Sequence, residues 1–260
     1  MLNSIGSGFE AAFFISMKAV LIVGWFAVIF IAERLSPAAP PPKTKQRLLS
    51  NVVLWALLLI ASPLIVLPLT AFAATHPLWV RPDELAFWPM LIADIILLDL
   101  WIYWLHRSYH EIPFLWRFHA PHHLDEHLDS TTAVRFHFGE VVLSAALRMA
   151  PIVVLAIPFT HVVIFESILL AGSLFHHSNL RLPAGVERAI SRLIVTPSIH
   201  WVHHHADWRD TNSNYATVFS LWDPLFGTRS RNERKRTMKI GVQGFEDRPV
   251  LRLLVTPFLT

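Results

Sequence analysis

The chain contains no cysteine. Disulfides, thiolate metal sites and iron–sulfur clusters held by the chain's own thiolates are therefore excluded, and any transition metal must be held by nitrogen and oxygen ligands. Charge is scarce too. Asp, Glu, Lys and Arg make up 16% of the 260 residues, while apolar residues reach 53%; soluble domains carry roughly 25% charged residues. Mean hydropathy is +0.45. A composition so poor in charge excludes an ordinary soluble domain and indicates an integral membrane protein. The formal net charge is only +3. Its basic residues sit in short clusters beside apolar runs, which suits a cytoplasmic membrane face and not a nucleic-acid groove, so no nucleic-acid partner is expected. No solenoid-type repeat is present. The first apolar run also lacks the charged leader and small-residue cleavage site of a signal peptide.

Residues 11 to 32 are long enough to cross a bilayer, with Lys18 snorkelling if the helix tilts. A Pro-rich basic connector, Pro37 to Arg47, is expected to be extended. Residues 48 to 74 form a second apolar stretch, kinked by Pro63 and Pro68, and a short polar loop holds His76, Arg81, Asp83 and Glu84. Residues 85 to 105 form a third. Lys43, Lys45 and Arg47 place the first loop in the cytoplasm by the positive-inside rule, so the third span also ends there. Residues 138 to 175 are again apolar, too many for one helix across about 30 Å. They predict a hairpin turning near Pro158-Phe-Thr160, and a last apolar patch, Leu251 to Leu259, is too short to span and reads as interfacial. The expected fold is all-α: an integral membrane bundle of about three spans plus a helical hairpin, under a cytoplasmic histidine-rich helical cap. The whole chain, 1–260, reads as one membrane-embedded domain, with spans in 1–89 and chemistry in 90–230.

Fourteen of the fifteen histidines fall between His106 and His205. HRSYH (His106 to His110) puts two imidazoles four residues apart on one helix face, the spacing that lets both reach one ion. Asp99 and Tyr103 share that stripe, at i and i+4 to its i+7 and i+11. HAPHH (His119 to His123) and HWVHH (His200 to His204) each place three rings on one side of a turn. Eight nitrogens exceed what one ion uses, so two metals are implied. Imidazole accepts zinc, copper, nickel or iron, and ligand type alone does not choose.

The three boxes resemble those of the fatty acid hydroxylase/sterol desaturase superfamily. So do Asp99-Leu-Trp-Ile-Tyr103-Trp-Leu-His106-Arg107, Leu115-Trp-Arg-Phe-His119 and Thr132-Ala-Val-Arg135-Phe-His137, the last with Phe138 where proline is usual. His177-Ser-Asn179 is similar to the family's isolated histidine, and Asn214-Tyr215 with Trp222 to Thr228 to its closing signature, with Ala216 replacing a common glycine. The resemblance covers roughly residues 90 to 230. It implies a membrane-bound, non-haem di-iron enzyme that uses O2 to hydroxylate or desaturate a C–H bond of a lipid, such as a sterol or fatty acyl chain. Two Fe ions would be its cofactor, O2 its cosubstrate, and electrons would come from a separate reductase, ferredoxin or cytochrome, since no fused haem domain is visible. The implied ligands are His106, His110, His119, His122, His123, His177, His200, His203 and His204. Where some members carry HxxxH, this chain offers Ser173 before His177 or Gly172 before His176. Either one ligand is missing or His137 supplies it, with His176 the alternative to His177.

Asp99 is expected to orient a ligand histidine, directly or through Tyr103 or water, the rival being a helix–helix hydrogen bond. Arg148 and Glu166 each lie about 15 Å from the cytoplasmic face if the hairpin forms, at matching depth, and are expected to pair. Pairing of Arg148 with Asp94, or snorkelling, are the rivals. The rival function is a non-redox membrane protein that binds or handles zinc.

Overall fold

The computed structural model describes residues 2–40, 45–82 and 86–258, and side chains from residue 19 onward. Lys18, Lys43, Asp83 and Glu84, which entered the reading of the spans, lie outside these limits.

Helix α1 (Leu2–Leu35) runs well past the expected first span. Helix α2 (Gln46–Ala61) continues through a π turn (Ser62–Val66) into α3 (Leu67–Thr75). Pro63 has no N–H to give the preceding turn and its ring crowds the carbonyl four residues back, so the ladder widens instead of breaking. The predicted kink is thus a π bulge within one 30-residue apolar helix. Helix α4 (Phe87–Glu111) carries the third span straight through HRSYH. Helix α5 (Pro113–His123) follows after one residue, started by Pro113, whose fixed φ suits a first turn.

The hairpin forms as α6 (Phe138–Val154) and α7 (Phe159–His176). Between them Ala156 adopts φ 51° and Pro158 starts the return helix. Short helices α8 (Ala184–Ile190), α9 (Pro197–His203), α10 (Trp208–Thr211), α11 (Trp222–Phe226) and α12 (Val250–Val255) complete the chain. Among the described residues β structure is confined to three isolated bridges, such as Pro37 to Leu180. The fold is all-helical. Three stretches, Gln46–Thr75, Phe87–Glu111 and Phe159–His176, are long and apolar enough to cross a membrane, and Leu49, Ile60, Leu64 and Ile92 on them are exposed as lipid-facing residues would be. This is an integral membrane protein.

α3 packs on α6, α1 on α7, and α4 on α5 and α7. The largest core joins Leu98, Ile102, Leu105 and Tyr109 of α4 to Ile152 of α6 and Phe165 of α7. Polar bonds fix the rest. Arg148 donates to Glu166 at 2.5 Å, the expected pair. Asp94 accepts instead from Arg81, at 2.7 and 2.8 Å, and bonds His161.

Arg47 departs from the reading that made it a basic residue of an extended connector. It lies in the first turn of α2, 6% exposed. It donates to Asp125 at 2.5 Å and to Asp129 at 2.8 Å. Glu33 of α1 accepts from the backbone of Ser130 and Asn179, both at 3.0 Å. Both side chains hold the loop after α5. In the tail patch Leu253 of α12 is buried against Leu54 and Leu124, while Leu251, Val255 and Phe258 are exposed.

Candidate metal centre

Nine buried or half-buried imidazoles converge in two groups. His106, His110, His119, His123 and His203 form the first, and His122, His177, His200 and His204 the second, with the ligand nitrogens of each within 4.8 Å of one another. The groups abut, the rings of His123 and His204 stacking at 4.2 Å.

Helix geometry explains the membership. Residues four apart share a face, whereas sequence neighbours are turned about 100° from each other. His106 with His110 and His119 with His123 are therefore pairs of the first group, and His200 with His204 of the second. The odd member of each HxxHH crosses over, His122 to the second group and His203 to the first. Each HxxHH does gather its three rings on one side of a turn, with the centroids of His119, His122 and His123 4.9–5.4 Å apart, and each cluster contributes to both groups.

The hydrogen bonds fix which nitrogen is available. The Nδ1 of His106 lies 2.8 Å from the carbonyl oxygen of Tyr215, that of His203 2.6 Å from Ser213, that of His177 2.8 Å from Ser173 and that of His122 3.2 Å from Arg135. Carbonyl oxygens only accept, so each Nδ1 carries the proton and each Nε2 is a bare lone pair. The Nε2 atoms of His122 and His177 nevertheless face each other at 3.1 Å, and those of His177 and His200 at 2.9 Å. With no proton between His122 and His177, that approach is repulsive unless a cation lies among them. In the first group Nε2 of His119 and His203, and both ring nitrogens of His110 and His123, are buried without a partner. Buried polar groups are rarely left so, and a metal would take one nitrogen from each of these four rings. The residues fit two ions bound by nitrogen.

Electrostatics agree. Burial, with neighbouring imidazoles adding, holds His119, His123, His200 and His204 well below the usual histidine range, and burial brings His177 down to about 3. The rings are neutral, as metal ligands must be.

The remaining candidates stand outside the groups. The His176 ring packs tilted against that of His200, centroids 4.1 Å apart, with its Nδ1 unpartnered among the described residues. His137 caps α6, its Nδ1 accepting from Gly139 and its Nε2 donating to Leu254, so no ring nitrogen is left to supply a missing ligand. Tyr103 bonds Thr228 at 2.8 Å. Asp99 touches no histidine. It accepts from Thr217, the backbone of Val218 and Phe219, and Trp222, fixing the loop whose Tyr215 carbonyl orients His106. Glu140, which the sequence reading passed over, accepts from His119 Nδ1 at 2.8 Å. An acid three residues after His137 in an apolar stretch was its available signal; the carbonyls of Ser213 and Tyr215 had none.

A cavity of about 380 Å3 opens beside both groups, lined by His106, His119, His122, His177 and His200 at one end and by apolar residues of α2, α4, α6 and α7.

A profile described as fatty acid hydroxylase matches residues 91–228. Among curated proteins, ornithine lipid hydroxylase OlsE of Rhizobium tropici is 29% identical over 180 residues, 68% of this chain and 53% of its own length. Human alkylglycerol monooxygenase is 30% identical over 52% of this chain and 30% of its own, and human lathosterol oxidase 25% identical over 53% and 44%. The chain thus matches about half or less of the length of these relatives. No solved structure matches it.

Proposed function

Because this chain belongs to the fatty acid hydroxylase family, we propose that it is a membrane-bound, non-haem di-iron oxygenase that uses O2 to hydroxylate or desaturate a C–H bond of a lipid. The observation that carries this reading is the convergence of two all-imidazole groups at one end of an apolar cavity between membrane helices. In it, His106, His110, His119, His123 and His203 hold one ion, and His122, His177, His200 and His204 the other. The activities for which these relatives are named, all on lipids, support the same class of substrate.

Iron bound there would supply the oxidising chemistry by activating O2 against an unactivated C–H bond. The chain supplies the rest. Tyr215, Ser213, Ser173 and Arg135 carbonyls and the Glu140 carboxylate hold the imidazole protons on Nδ1 and fix ring orientation. The walls of α2, α4, α6 and α7 align a hydrocarbon chain and keep water away. The groups sit at the ends of α4 and α7, so a lipid enters sideways at membrane-surface depth. Basic residues flanking the spans favour a cytoplasmic location for that surface, where a separate reductase, ferredoxin or cytochrome delivers electrons.

Anaerobic loading with ferrous iron, followed by O2 and a membrane lipid extract, tests this reading. Two iron ions per chain and oxygen uptake coupled to an oxidised lipid are expected. Zinc held tightly, with no oxygen uptake after iron loading, would identify a metal-handling protein instead. Mass spectrometry of the lipids altered in a deletion strain then names the substrate.

A further inference from the structure

The cavity is apolar along its walls but charged at its far end. Apart from histidines, its charged lining residues among the described residues are Glu140, Arg148 and Glu166. Glu140 is engaged by His119. Arg148 lies eight residues beyond Glu140 on α6, and Glu166 seven residues before Ser173 on α7, so the pair sits about 10–12 Å deeper than the residues that orient the metal-site imidazoles. Ser62, at the π turn, lines the cavity with them.

This deepens the oxygenase reading and rests on it: we propose that Arg148 and Glu166 recognise a hydroxyl carried by the lipid substrate at the end remote from the oxidised carbon. An ion pair on the wall of a lipid cavity is costly, and as a fastening it is poor, since apolar residues of equal volume join two helices at least as well. Ligand cavities instead keep a few placed polar groups to orient what they bind. The Arg148 side chain is 8% exposed, its Nη2 donates to Glu166, and its Nε has no hydrogen-bond partner among the described residues. A guanidinium only donates and a carboxylate only accepts. Side by side they are neutral in sum. A carboxylate-ended lipid would meet Glu166 and an ammonium-ended one Arg148. A hydroxyl accepts from Arg148 and donates to Glu166. At about 1.2 Å per bond, the advance of a fully extended backbone, the depth corresponds to roughly eight to ten bonds between that hydroxyl and the carbon presented to the histidines.

The test is binding, not turnover, on the full chain in lipid nanodiscs with and without iron, under argon. Decanol is compared with decyl methyl ether, which accepts but does not donate. Calorimetry on the wild type should give decanol an advantage on the order of tenfold over its advantage in the Arg148→Leu/Glu166→Leu variant, the size of one charge-assisted hydrogen bond. Taking the ratio between proteins cancels the different membrane partitioning of the two probes. Should the leucine variant not fold, Arg148→Gln/Glu166→Gln serves, with a loss of severalfold expected. An equal decanol preference in wild type and the folded variant overturns the assignment. A chain that binds no iron and takes up no oxygen, yet keeps the preference, overturns the oxygenase reading and leaves the hydroxyl site standing.

Discussion

His203 gives its Nδ1 proton to the Ser213 carbonyl at 2.6 Å, which leaves Nε2 for the first group. His203→Ala removes one nitrogen of five there and none from the second group. We expect metal affinity to fall at least about 100-fold, the upper end of what even loss of an outer partner costs, with membrane insertion unchanged. Metal content by mass spectrometry checks this; His137→Ala, which removes the cap of α6 and the bond to Leu254 but no nitrogen of either group, should retain both ions. Asp99 behaves differently. Four donors converge on its carboxylate, from Trp222 at 2.7 Å to Val218 at 3.2 Å. Asp99→Asn leaves a single acceptor oxygen and turns an amide toward donors. Each buried donor left unmet costs about 1–3 kcal/mol. The expected result is a lower unfolding midpoint already in the metal-free chain. If the metal-free midpoint equals that of wild type and only metal affinity falls, Asp99 acts on a ligand histidine and not through the 217–222 loop.

Helices α6 and α7 are joined across the apolar layer by Arg148 and Glu166, 2.5 Å apart. Matching depth follows from the turn at Leu155 to Pro158, which puts the two residues opposite each other on antiparallel helices. Arg148→Glu sets two carboxylates together, and Glu166→Arg two guanidiniums. Each change at a buried pair costs about 3–5 kcal/mol, enough to lose most folded protein. The double swap restores one donor and one acceptor at the same depth. Folded yield in detergent should be poor for both single variants and recover in the double. Recovery from Arg148→Asp with Asp94→Arg instead would contradict the observed partners, since Asp94 is held by Arg81 and His161.

Across the whole molecule, the N-terminal helices do more than anchor. Arg47 of α2 and Glu33 of α1 reach the loop between α5 and α6, which supplies the Arg135 carbonyl to His122. Burial alone would raise Asp129, but the charge and hydrogen bonds of Arg47, helped by Thr131, hold it below the usual carboxylate range. Unfolded, Asp129 titrates near about 3.9. The unfolded chain therefore binds its proton first as pH falls, so the stabilisation is complete above that value and is lost as pH drops through the lower folded value. Arg47→Met leaves Asp125 and Asp129 buried without their partner, at a cost of about 3–5 kcal/mol. The expected outcome is a large drop in unfolding midpoint at pH 7 that shrinks as the pH falls and the abandoned Asp129 carboxylate protonates. A pH-independent drop would mean that lost packing, not charge, is the cause.

What the sequence determined by itself is whatever repeats along one helix. The apolar runs, the kink near Pro63, the hairpin at Pro158 and the i, i+4 histidine pairs are all local, set by the 1.5 Å rise and the 100° turn. The Arg148–Glu166 pair was legible for the same reason, because depth along two antiparallel helices is arithmetic. Tertiary structure decided which imidazole joins which group: sending His122 and His203 across depends on how α5, α9 and α4 meet, and no spacing within one helix encodes that. It also decided that Arg47, a surface charge by its Pro-rich neighbourhood, is buried on two aspartates far along the chain. The partners that fix the imidazole protons were the least legible, because three of those in the third-box loop and α7 are backbone carbonyls, which every residue has and only the fold can aim.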